Sequence, residues 1–185
     1  MSRTPRGPAD PGRRERIVAA AYDLVAKNGL GGVTHRTVAA AADVPLGSTT
    51  YYFDSLDDLL AGVLAKLVDE YAEYLREWAA PLADSAPQQL VPALVELVTD
   101  YASDRGRARV EYQLCLAAMD RPHLQELAER YTASTVETLC TLVDRPTAVA
   151  LSAAVDGFAI RVLVSPGAPD RAELAAAFGA ICGAD

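Results

Sequence analysis

The chain has 185 residues, of which 51% are apolar and 6% aromatic; this is enough apolar side chain for a packed core, and the dominance of Ala and Leu favours helices over sheets. A net charge of −8 argues against nucleic acid until its distribution is read: residues 1–53 hold seven Lys/Arg against four Asp/Glu, a net +3, and the other 132 residues hold ten against 21, a net −11. A basic head on an acidic body lets the head meet phosphate while the body is repelled by it.

No apolar run reaches the ~18 residues that cross a bilayer. The N-terminus, MSRTPRGPADPGRRER, is polar and basic with no apolar segment behind it, so the chain reads as cytoplasmic with no membrane partner. Cys115, Cys140 and Cys182 are odd in number and far apart, no CxxC occurs, and His35 and His123 are the two histidines. That pattern gives neither a zinc site nor a disulfide framework, and each Cys reads as a small buried hydrophobe. No metal and no cofactor is expected. A phosphate loop, a nucleophile elbow and metal-ligand spacings are all missing from the sequence, so it offers no enzyme signature.

Residues 1–12, rich in Pro and Gly with Arg3 and Arg6 among them, read as a basic arm able to trail along DNA. From Arg13 to Asn28, apolar residues at Ile17, Ala20, Ala21, Leu24 and Val25 mark one face of a helix. Asn28-Gly29 ends it, since both tolerate a left-handed cap. Thr34 is a good N-cap for a short helix through Ala42. Asp43 stands where a tight turn needs a left-handed residue, and Pro45 suits the first turn of the next helix. That helix, Pro45 to Phe53, begins with Gly47, Ser48, Thr49 and Thr50, small enough to let it approach base edges closely. Tyr51 and Tyr52 follow with phenols that can reach phosphate.

Ser55 caps a long fourth helix, with Asp57 and Asp58 in its first turn. Its apolar side runs through Leu60, Leu64, Leu67, Tyr71, Tyr74 and Trp78, and Pro81 ends it. Helices are then predicted over Pro87–Ser103, Arg107–Met119 after a break at Arg105-Gly106, Pro122–Val143, Pro146–Val164 and about Asp170–Cys182. The helix VALSAAVDGFAIRVLV within 148–164 is apolar or small almost all round, so it must be covered on every side. With AELAAAFGAIC it reads as half of an intersubunit four-helix bundle, giving a homodimer through about 146–164 and 170–182.

The head, through Thr34-His35-Arg36-Thr37-Val38-Ala39, Ala42-Asp43-Val44, Gly47-Ser48-Thr49-Thr50-Tyr51-Tyr52-Phe53 and Leu59-Leu60, resembles the TetR family of transcriptional regulators. The resemblance covers about residues 12–60 and is specific there. It implies an all-α fold: a helix-turn-helix domain over 13–55 after the arm, and a helical ligand-binding and dimerisation domain over 56–185. It also implies contacts to a palindromic double-stranded DNA operator, in the major groove, from Thr34, Arg36, Pro45, Leu46, Gly47, Ser48, Thr50, Tyr51 and Tyr52. Arg36 suits base recognition because its fork matches the two acceptors of guanine. Three departures stand out. Thr50 replaces a usual Tyr, Leu56 a usual Lys, and Asp43 a usual turn Gly, so fewer charged contacts to phosphate are expected. The resemblance further implies a small-molecule effector pocket in the body that releases the operator. Trp78, Tyr101, Tyr112, Cys115, Met119, Tyr131 and Phe158 are its candidate lining. Glu111 and Asp156, in apolar stretches, suit a cationic ligand or pairing with Arg107, Arg109 or Arg161. A constitutive DNA-binding protein would share the head without the pocket. A cavity in the body would favour the ligand-released regulator, and a filled body the constitutive one.

Overall fold

The computed structural model describes residues 10, 12–83, 89–165 and 167–183. Residues 1–9 and 11 of the predicted arm, with Arg3 and Arg6, and the Pro87 helix start fall outside them. Among the described residues the structure is built from α-helices: α1 Arg13–Asn28, α2 His35–Ala41, α3 Leu46–Tyr52, α4 Leu56–Ala79, α5 Leu90–Ser103, α6 Arg105–Ala117, α7 Gln125–Leu139, α8 Arg145–Val164 and α9 Arg171–Cys182. They divide into two compact units, residues 1–63 and 64–185. The division falls inside α4, which gives its first two turns to the head and the rest to the body.

In the head, α1 to α3 and the start of α4 enclose a mainly aliphatic and aromatic core. Ile17, Ala21 and Val25 of α1, with Val38, Phe53, Leu59 and Leu60, are all 2% exposed or less. Gly29 closes α1 at φ 72°, donating its N–H to Val25 O, a backbone setting that suits glycine. Arg14 lays its guanidinium over the Phe53 ring, 5.2 Å from the centroid.

In the body, α8 packs against α5, α6, α7 and α9, and α5 packs against α9. Leu94, Leu114, Leu124, Leu139, Leu151 and Phe178 form its apolar centre. Each of three helices starts on an Asp whose carboxylate accepts a backbone N–H of the first turn: Asp104 from Arg107, Asp144 from Thr147, and Asp170 from Ala172 and Glu173.

These caps correct several boundaries. With Asp104 as cap, α6 starts at Arg105, and Gly106 lies within it rather than breaking the chain. Pro122 opens a 3₁₀ turn through Leu124, so α7 itself begins at Gln125 and ends at Leu139, short of Val143. α8 begins at Arg145, one residue before Pro146. The three cysteines are unpaired and half-buried rather than fully buried.

By length and composition α8 is apolar enough to cross a membrane. Its inward side is instead used by the bundle, and Asp156 and Arg161 interrupt it. Its other side leaves Val149, Ile160 and Val164 at 48, 46 and 77% exposure in the single chain. The expectation of a helix covered all round is therefore met on one side only within one chain.

Candidate DNA-reading face and effector cluster

The turn between α2 and α3 is built by local chemistry. Thr34 and Thr37 form a reciprocal capping box: Thr37 N donates to Thr34 Oγ1 at 3.1 Å, and Thr34 N donates to Thr37 Oγ1 at 2.9 Å. At the other end of α2, Asp43 has φ 50°. Val44 N reaches back to Ala39 O at 3.0 Å and Asp43 N to Ala40 O at 3.4 Å. This is a Schellman closure with Asp43 in the seat that glycine usually takes. Pro45, at ψ 141°, is the N-cap of α3 rather than its first residue, and Leu46 starts the helix. The Pro45 carbonyl accepts from Ser48 N at 2.8 Å.

Burial then sorts α3 into two sides. Thr49 is fully buried, its hydroxyl donated to Leu46 O at 2.8 Å, which satisfies a polar group inside the head. Leu46, Gly47, Thr50 and Tyr51 are exposed, Leu46 at 51% and Tyr51 at 71%, and Ser48 and Tyr52 are half-buried. The Tyr51 and Tyr52 rings meet edge to face at 5.1 Å. A side chain at Gly47 would meet nothing within 4 Å, so this part of α3 is clear for close approach. Thr34, Arg36 and Pro45 are exposed as well. The predicted contact residues thus lie on the solvent side of the two short helices. Thr50 turns its hydroxyl back toward Gly47 O at 3.4 Å. Leu56, at the start of α4, is half-buried.

The centre of the body holds chemistry of another kind. The Glu111 side chain has no exposed surface. Its Oε2 accepts hydrogen bonds from Tyr101 Oη at 2.6 Å and Tyr131 Oη at 2.7 Å, and its Oε1 accepts from Arg107 Nε at 2.7 Å. Tyr131 stacks on Tyr71 of α4, with centroids 4.7 Å apart, and Tyr71 bonds Thr135 at 3.0 Å. Across the cluster, Tyr112 donates to Asp156 Oδ1 at 3.0 Å, and its ring meets Tyr101 edge-on at 6.4 Å. Helices α4 to α8 thereby bring four phenol rings and two carboxylates together. Burial first, then the neighbouring carboxylates, hold the Tyr101, Tyr112 and Tyr131 hydroxyls well above the usual tyrosine range. All therefore remain neutral donors. Burial also raises the Asp156 carboxyl, with the Tyr112 bond opposing it, and pushes the Cys115 thiol up to about 12, helped by Glu111 and Asp156. The free space among Tyr71, Tyr101, Tyr112, Tyr131 and Asp156 is about 10 Å³, room for roughly one water molecule.

Of the predicted lining, Tyr101, Tyr112 and Tyr131 converge here, and Cys115 sits close enough to feel both carboxylates. The other three do not line this space. Trp78 is held elsewhere, its Nε1 donating to Ala93 O at 3.3 Å. Met119 lies in the turn after α6 and is 78% exposed. Phe158 packs edge-on against Phe178 at 5.7 Å and lines a separate groove between α8 and α9. Tyr71 and Thr135 were missed; Tyr71 follows the apolar rhythm of α4 and so reads as core. Of the sequence alternatives for Glu111, pairing with Arg107 is the one formed. Arg161 pairs instead with Glu173 at 2.7 Å.

Residues 85–184 match the model of the tetracyclin repressor-like C-terminal domain. The HTH-type transcriptional regulator BetI of Stenotrophomonas maltophilia (strain R551-3) is 26% identical over 166 residues, which span 85% of this chain and 84% of that protein. A solved TetR family member from Streptomyces coelicolor A3, SCO1917, is 36% identical with a TM-score of 0.82, over 92% of this chain and 98% of that one. The multidrug binding protein EbrR, in complex with ethidium, is 37% identical with a TM-score of 0.81, over 94% of this chain and 99% of that one. EbrR has also been solved with malachite green and with proflavin. On its C-terminal half and its whole-length relatives alike, this chain belongs to the TetR family of helix-turn-helix transcriptional regulators.

Proposed function

We propose that this protein is a dimeric repressor that leaves a palindromic operator when a flat aromatic cation enters the tyrosine–carboxylate cluster. The observation that carries the reading is Glu111: a carboxylate with no exposed surface, ringed by tyrosines, with Asp156 nearby. Aromatic faces and carboxylates attract a desolvated cation together, and the faces stack on a planar one. Ethidium, malachite green and proflavin, with which EbrR was solved, are cationic aromatic dyes of that kind.

The DNA half of the proposal rests on the exposed side of α2 and α3. Arg36 reads a base edge, Leu46, Gly47 and Ser48 approach the major groove, and Thr34, Pro45, Thr50, Tyr51 and Tyr52 meet the backbone. Two copies join through the apolar outer faces of α8 and α9, placing two recognition helices about 34–36 Å apart on one side of the duplex. The link between the halves is covalent. Tyr71 lies on α4, whose first turns belong to the head, and a ligand that enlarges the closed space displaces Tyr71. Release follows only if the ligand binds the displaced state better than the DNA-bound one.

A second reading has its own support: a space of about 10 Å³ is too small for a drug-sized molecule, as in a constitutive DNA-binding protein with a filled body. Selection of bound sequences from a random DNA pool, followed by titration of ethidium onto the selected complex, separates the two. A palindrome released by micromolar dye supports the switch. A palindrome that stays bound at dye saturation leaves the constitutive reading, and selection of no sequence at all sinks both.

A further inference from the structure

Resting on the reading of the cluster as a cation site, we infer that Arg107 is its resident cation: the side chain occupies the place of the effector's charge and must leave Glu111 when the effector binds. Arg107 contacts Glu111 in an incomplete way. A guanidinium facing a carboxylate commonly makes two parallel bonds through its fork. Here Nε alone donates, at 2.7 Å, and Nη2 is buried with no hydrogen-bond partner. The side chain is still 30% exposed, whereas that of Glu111 is not exposed at all.

This asymmetry defines which partner moves. Glu111 is fixed by two tyrosine hydroxyls on its second oxygen. Arg107 is held by one bond in the first turns of α6 and has a way to water. An unpaired carboxylate in this interior would be costly, so the empty site needs a counter-ion of its own. A second cation at the same oxygen would face like-charge repulsion at close range in a medium that screens weakly. The incoming charge therefore exchanges with Arg107 rather than adding to it. The exchange regains hydration for the guanidinium and ends the burial of an unpartnered N–H. It also makes Arg107 a specificity residue: a cation can replace it, whereas a neutral ring of the same shape would leave Glu111 without a counter-ion and so gains nothing from expelling it. Asp156 is the competing carboxylate, bonded to Tyr112 and half-exposed; a ligand that used Asp156 would leave Arg107 in place.

The wild-type protein can report this directly. The Arg107 Nε–H resonance, assigned by its loss in Arg107→Lys, should be protected from solvent exchange in the free protein and lose that protection when ethidium saturates the site. Binding should then be compared for ethidium and for phenanthridine, its uncharged ring system. Ethidium should bind the wild-type protein more tightly than phenanthridine does; Arg107→Met should tighten ethidium by about tenfold or more, and that gain should vanish in the Glu111→Gln background. Retained Nε–H protection with ethidium bound overturns the inference, as does a gain in Arg107→Met that survives Glu111→Gln. If Arg107→Met does not fold, the protection measurement decides alone. Failure of wild-type protein to bind ethidium overturns the cation-site reading and this inference with it.

Discussion

The head and the body bury their chemistry in opposite ways. The head has a core of side chains such as Ile17, Val38, Phe53 and Leu60, and the one fully buried polar residue among its described residues, Thr49, is satisfied within its own helix. The residues proposed to contact DNA point outward. The body closes around Glu111, whose partners come from α5, α6 and α7. On the proposed function, the difference follows from what each unit would meet. A duplex is a large charged surface, read by exposed side chains on a rigid frame. A small cation must be desolvated to be recognised by shape and charge together, so its partners have to be inside. A rigid head and a body with an ionic centre also differ in how they fail, and that difference can be tested.

The largest effect belongs to the body. Glu111→Ala leaves the buried Tyr131 hydroxyl, that of Tyr101 and the Arg107 guanidinium short of an acceptor, and it opens a gap where the side chain stood. Breaking a buried ionic cluster from one side costs about 3–5 kcal/mol, read as a lower urea midpoint of the whole protein. A shift well under 1 kcal/mol would mean that the cluster relaxes freely, and the contrast with the head would fail.

In the head, function and stability are expected to separate because the proposed contact residues carry little of the core. Arg36→Ala is expected to cost about 1–3 kcal/mol of operator affinity and relax preference at one base pair of each half-site, with no loss of thermal stability. An unchanged selected sequence would make Arg36 a solvated surface residue. Tyr51→Phe removes one hydroxyl from a ring that is 71% exposed. It should weaken all DNA sequences alike by about 1 kcal/mol. A loss confined to the operator would place Tyr51 on a base instead.

The same contrast explains what was legible in the sequence. Thr34 to Phe53 is built from rules that act over a few residues: a threonine cap, a left-handed turn residue, a proline before a helix. Each could be read from neighbours alone, and the slip at Pro45 was one position. The body's cluster joins residues as far as 44 and 64 positions apart through packing. Tyr101, Tyr112 and Tyr131 could be named as aromatic candidates, but so could Trp78, Met119 and Phe158, because nothing in a helical rhythm says which rings converge. Glu111 stood out as a charge in an apolar stretch, and only the tertiary structure chose Arg107 among its three possible partners. The misplaced start of α6 has a local cause. Gly106 was read as a breaker, and the capping strength of Asp104 outweighed it.

The smallest effect tests whether the head's turn is kept for folding or for some other reason. Asp43 holds φ 50° at the closing seat of α2, a conformation that costs an ordinary L-residue about 1–2 kcal/mol and Asp somewhat less. Glycine would remove that strain, but it would also loosen the unfolded chain by about 0.4–1 kcal/mol. The two terms nearly cancel, leaving Asp43→Gly more stable by about 0.5 kcal/mol or less. The carboxylate also attracts the exposed Arg16, but that attraction is solvent-screened and worth too little to reverse the sign. Thermal unfolding of Asp43→Gly should therefore show a midpoint equal to or slightly above that of the parent. A clear drop would show that the Asp43 carboxylate holds the turn through an interaction stronger than strain, and the head's frame would then depend on a charge just as the body does.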